Sequence, residues 1–130
     1  MTDRELFDEA CAMLKMAYAP YSKFAVGACL LDDRGRAFGG CNIENASYGA
    51  SICAERAAIS VAVSAGTRRI VKVAVVGQRS SAWPCGICRQ VLYEFGGKEL
   101  TVICGNAEAG TYEVMTLGEL LPSAFGPESL

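Results

Sequence analysis

Two short stretches carry residues whose types and spacing can do chemistry: Cys53-Ala54-Glu55 and Pro84-Cys85-Gly86-Ile87-Cys88. The chain has no histidine, so the commonest metal ligand and general base is missing. Cysteines and carboxylates must do any metal or acid–base work. In a helix, Cys-x-x-Cys puts two thiols one turn apart on the same side. At a helix start, unpaired backbone N–H groups favour the thiolates that grip a zinc ion. Cys53, at the head of a neighbouring apolar run, is a third ligand. Tetrahedral zinc wants four ligands, and a catalytic site supplies three and leaves one position for water.

Glu55 explains why that open position matters. A zinc-activated water must lose a proton, and a carboxylate two residues beyond a ligand can take it and hand it on. Alone, Glu55 reads as a helix-N-terminal glutamate favoured by the helix dipole. Beside "PCGIC" it reads as a proton carrier. Three thiolates and a dication leave one net negative charge, which weakens the metal as a Lewis acid. Two helix N-termini, each worth about +0.5 charge, offset part of it. Arg56 reads as a donor to the thiolates rather than a solvated surface cation, and Arg89 is a weaker candidate.

Two rival readings use the same cysteines. A structural site would recruit Cys41 or Cys104 as a fourth ligand. Cys11, Cys29, Cys41 and Cys104 read more simply as small apolar packing residues. A thioredoxin-like redox pair at Cys85 and Cys88 would leave Cys53 and Glu55 without a task. The seven cysteines are an odd number, which argues against a disulfide scaffold.

Around these motifs, Thr2 and Glu5 read as a capping box opening a helix whose apolar stripe runs from Leu6 to Ala17. "KFAVGACLLD", "DDRGR" and "RAFGGC" read as strand, turn and strand. "NIENASYGAS" is a polar loop. "CAERAAISVAVSAG" is a helix closed by Gly66. "IVKVAVVG" is a strand covered on both faces. "PCGICRQVLYEFGG" is a helix, "ELTVICG" a strand, and "TYEVMT" a last short strand. Thr116 and Glu119 read as a second capping box before the helix "LGELLPSAF". This order predicts an α/β domain spanning 1–130, with a partly parallel sheet and helices on both faces.

Of 130 residues, 52% are hydrophobic and 20% charged, an ordinary globular composition. The formal charge is -2 and no basic stripe is present, so a small-molecule ligand is expected rather than nucleic acid. No apolar stretch spans a bilayer and the N-terminus is polar, which predicts a cytoplasmic protein with no membrane partner.

The motifs together resemble the zinc-dependent nucleobase deaminases, with cysteine in place of histidine. The resemblance is strongest to the small homotetrameric cytidine deaminases of pyrimidine salvage. It runs from "AYAPYSKFAVGACLL" through "GCNIENASYG", "CAERAA" and "PCGICRQV" to "MTLGELLPSAFGPESL". It implies a three-layer α/β/α fold with a mixed central sheet. It implies one Zn2+ per chain on Cys53, Cys85 and Cys88, and Glu55 as the catalytic acid–base. It further implies that Asn42 and Glu44 hold ribose hydroxyls, that Phe24 packs on the pyrimidine, and that the Ala54 backbone reads the base edge. Ala46, Tyr48 and Phe125 would reach into neighbouring subunits' pockets. The implied reaction converts cytidine and 2'-deoxycytidine to uridine and 2'-deoxyuridine plus ammonia. A deaminase of another aminopyrimidine, such as blasticidin S, is the alternative. Trp83 and Ile87 depart from the family's usual small residues and put fine substrate preference in question.

Overall fold

Thr2 opens α1 (Asp3–Ala12) as a capping box: its side chain accepts from the Glu5 N–H, and the Glu5 carboxylate accepts from the Thr2 N–H. This helix begins a computed structural model that describes all 130 residues, Met1–Leu130. The apolar stripe outlasts the α-helix. Beyond Ala12 the chain tightens into a 3-10 turn, Met13–Met16.

The predicted hairpin forms from β1 (Val26–Asp32) and β2 (Ala37–Cys41), turning at Gly35 with φ 79°. Then come α2 (Ala54–Ser64), β3 (Ile70–Gly77), α3 (Gly86–Gly96), β4 (Thr101–Asn106) and β5 (Thr111–Thr116). The five strands lie in the order β2-β1-β3-β4-β5. Only β3 and β4 run parallel, with α3 as their crossover; the other pairs are antiparallel. The sheet is therefore mixed.

Period-two alternation decides how the sheet is covered. Leu30, Val73, Val75, Val102 and Cys104 pack with Ala58, Ile59, Ala62 and Leu92 of α2 and α3. The intervening Cys29, Ala74, Val76 and Ile103 pack with Leu6, Phe7 and Ala10 of α1. Helices on both faces make three layers, as the strand–helix order requires.

The C-terminal helix is shorter than its sequence pattern. The Thr116–Glu119 capping box forms, but α4 (Leu117–Leu120) is one turn long. Pro122 follows and forces the chain out of helical geometry. No helix is long and apolar enough to cross a membrane.

One glycine sets the height of α2 above the sheet. A Cβ on Gly40 would lie 2.4 Å from the Ala58 nitrogen and 2.6 Å from the Ala54 oxygen. Backbone meets backbone there, so only hydrogen fits. That contact seats the first turn of α2, which carries Ala54 and Glu55.

Candidate active site and metal centre

Cys53 is the N-cap residue of α2 and Cys85 that of α3, and neither sulfur caps its own helix. Cys88 lies in the first turn of α3, fully buried. The two helix starts converge on one face of the sheet. The three sulfurs all lie within 4.8 Å of one another, and those of Cys53 and Cys85 are 3.8 Å apart. Zinc bound at about 2.3 Å in a tetrahedron separates its sulfurs by roughly 3.8 Å, so the donor set fits that ion in chemistry and spacing.

The group stops at three: Cys41 and Cys104 lie outside it. Cys104 belongs to the core beneath α2 and α3. The four-cysteine structural reading therefore fails. All seven cysteines are free thiols, and Cys53 joins Cys85 and Cys88 in one group, a third sulfur that a two-cysteine redox pair does not use.

The electrostatics are those of a site made for a cation. The hydrogen bond from Cys88, helped by Arg56 and Cys85 and opposed by burial, pulls Cys53 down to about 5. Cys88 is driven far above the ordinary thiol value because its proton is engaged with Cys53, and burial and the Glu55 charge add to this. Without a cation Cys53 and Cys88 share one proton between them. Arg56 donates through Nη2 to the Cys53 sulfur at 3.6 Å, as the charge argument requires. Its Nε is the one buried side-chain polar atom without a hydrogen-bond partner. Arg89 makes no hydrogen bond to the thiols. It donates to the Pro84 and Leu120 carbonyls, each at 2.7 Å, and so ties the approach to Cys85 to α4.

Glu55, in the first turn of α2, is 3% exposed. Burial pushes its carboxyl up to about 7, with the Cys53 charge adding to this and its own backbone N–H opposing it. A carboxyl near neutrality can both take and give a proton at physiological pH.

An open cavity of about 880 Å³ lies over this centre. Cys53, Ala54, Glu55 and Cys85 form part of its wall, with Phe24, Asn42 and Glu44 from the β1 and β2 side.

A family model described as the cytidine and deoxycytidylate deaminase zinc-binding region matches residues 1–104. The chain belongs to this deaminase family. It is 48% identical over 115 residues to the cytidine deaminase of Mycobacterium tuberculosis (strain CDC 1551 / Oshkosh), covering 88% of this chain and 82% of that protein. It is 45% identical over 130 residues to the cytidine deaminase of Halalkalibacterium halodurans, covering 98% of each. The crystal structure of cytidine deaminase from Burkholderia pseudomallei superposes with a TM-score of 0.90 at 47% identity, covering 96% of this chain and all of that one.

Against that family the residues named from sequence fall into two groups. Phe24, Asn42, Glu44, Tyr48 and Ala54 line the cavity, whereas Ala46 and Phe125 do not. Tyr48 is 81% exposed and Phe125 62% exposed, so both project away from the core. The Asn42 amide is already engaged: Oδ1 accepts from the Val26 N–H and Nδ2 donates to the Phe24 carbonyl, each at 2.9 Å. Trp83 and Ile87 are both exposed and both part of the cavity wall, so both family departures border the cavity. Sequence reasoning missed Tyr21, Ser22, Ser80 and Ser81, which also line the cavity. Ser22 bonds to Glu44, but the two are 22 residues apart and no motif spacing links them.

Proposed function

We propose that this chain hydrolyses cytidine and 2'-deoxycytidine to uridine and 2'-deoxyuridine, releasing ammonia, as a step of pyrimidine salvage. One observation carries the reading. A buried carboxylate, Glu55, stands beside a three-sulfur cation site in a cavity whose wall also offers an aromatic ring and a second carboxylate. When bound by Cys53, Cys85 and Cys88, zinc activates water as a nucleophile toward C4 of the base. The Glu55 carboxylate takes a proton from the attacking water, delivers it to ring N3, and then assists departure of the amino group as ammonia. Arg56 stabilises the thiolate ligands by hydrogen bonding. Phe24 stacks on the pyrimidine, the Ala54 backbone meets its polar edge, and Asn42 and the Glu44 carboxylate accept from the sugar hydroxyls.

The functional unit is a homotetramer in which Ala46, Tyr48 and Phe125 complete a neighbour's pocket. The exposure of Phe125, which lies off its own chain's cavity, supports this. A cytoplasmic setting suits free thiols that must stay reduced to hold metal. The relatives at 45–48% identity are named cytidine deaminases, which favours the nucleoside over an aminopyrimidine such as blasticidin S. The test is direct. Incubation with cytidine should give the ultraviolet change to uridine, with one zinc bound per chain. Turnover of another aminopyrimidine but not of cytidine would replace this reading.

A further inference from the structure

We propose that Ser22 is a positioning residue that locks the sugar-reading carboxylate of Glu44 and the base-stacking ring of Phe24 into one rigid unit. The proposal rests on the roles given above to Glu44 and Phe24.

Tyr18 pairs with the Asn42–Glu44 segment, through Tyr18 N–H to Asn42 carbonyl at 3.0 Å and Glu44 N–H to Tyr18 carbonyl at 2.8 Å. The chain then makes a single turn, closed by the Lys23 N–H on the Ala19 carbonyl at 3.1 Å. Glu44 occupies the open end of that turn. Its Oε1 accepts from the Tyr21 N–H at 3.0 Å and the Ser22 N–H at 3.1 Å. Its Oε2 accepts from the Ser22 hydroxyl. The same hydroxyl oxygen accepts from the Phe24 N–H at 3.1 Å.

Ser22 therefore spends its one proton on the sugar reader and a lone pair on the base stacker. The Phe24 carbonyl is held in turn by the Asn42 amide, so side chains grip the backbone of Phe24 on both sides. Lys23, between Ser22 and Phe24, has φ 60°, a left-handed conformation uncommon for a side chain of this kind. Arg79 donates to the Lys23 carbonyl at 3.0 Å. A carboxylate offers about four acceptor places. Three are taken, which leaves one, on the Oε2 that Ser22 orients, for a sugar hydroxyl.

Removing the hydroxyl frees one oxygen of Glu44 and leaves the Phe24 N–H unpaired at the same time. Both contacts bind the nucleoside; neither touches the proton transfers at Glu55. The signature is thus a split between KM and kcat. In Ser22→Ala, KM for cytidine should rise roughly tenfold, the scale for losing a hydrogen bond to a charged group, while kcat changes far less. Ser22→Thr, which keeps the hydroxyl, should restore KM most of the way. Because Ser22 acts through Glu44 and Phe24, Ser22→Ala added to Glu44→Ala should raise KM by much less than it does alone.

Each variant is first matched to the unsubstituted protein in zinc per chain and circular dichroism. If Ser22→Ala does not fold, Ser22→Cys replaces it with the same expectations. A folded variant with unchanged KM, a fall in kcat at constant KM, or full additivity with Glu44→Ala would overturn the proposal. Failure of the unsubstituted protein to convert cytidine would instead overturn the functional reading, and this proposal with it.

Discussion

Glu55 and the three sulfurs pose opposite problems for the same few cubic ångströms. Cys53 and Cys88 need a cation to become thiolates together, and burial drives the glutamate toward its neutral form. A bound dication answers the first need, and Arg56 beside Cys53 supplies further positive charge. Ligation should then be linked to folding, because the sulfurs anchor the starts of both α2 and α3. Cys85→Ala is expected to bind far less than one zinc per chain and to melt at a lower temperature. Chelation should lower the melting temperature of the unsubstituted protein but leave that of Cys85→Ala almost unmoved. Equal zinc content in the two proteins would refute Cys85 as a ligand. These residues were legible in the sequence because each sits at a helix start, where local rules of Pro, N-cap and Cys-x-x-Cys spacing apply. Ser22 was not legible, since its partner Glu44 is brought to it only by the pairing of Tyr18 with the Asn42–Glu44 segment.

The elements position the site through two close approaches, the sulfurs themselves and the backbone contact at Gly40. A side chain at Gly40 must push α2 away from β2. Gly40→Val should therefore cost about 1–3 kcal/mol of stability, the usual range for overpacking. It should also impair turnover more than its stability loss alone explains, because the first turn of α2 carries Glu55. Denaturant unfolding and kinetics on the folded fraction check both halves. Much at this scale could be read in advance. Both capping boxes form, and the apolar run 70–77 becomes a strand covered on both faces. Helix α4 is shorter than its pattern, because the apolar run of "LGELLPSAF" continues through Pro122 while helical geometry does not. The 3-10 ending of the first helix left no mark on its hydrophobic stripe.

At the scale of the whole molecule, a buried polar knot holds the hairpin to the far end of α2. Asp32 is 1% exposed. Its carboxylate accepts from the Thr67 hydroxyl at 2.7 Å, from Arg36 Nε at 2.9 Å, and from the Arg34 and Arg36 N–H groups. Burial alone would raise its pKa, but these bonds outweigh it and hold the carboxyl well below the usual range. The folded state thus binds this proton less readily than the unfolded chain does. The stabilisation is full above the unfolded value near pH 4 and is lost as pH falls below it. Asp32→Asn should be less stable at neutral pH and lose less on acidification from pH 6 to pH 3. Parallel melting curves across that range would show that the knot is not acid-sensitive.

On the function proposed above, Glu55 carries protons between the attacking water and the substrate. The most direct test is zinc content and cytidine turnover measured on the same preparation of Glu55→Ala. That variant should keep one zinc per chain and lose roughly a hundredfold to ten-thousandfold in kcat. A zinc-loaded Glu55→Ala that deaminates cytidine at close to the normal rate would contradict the account.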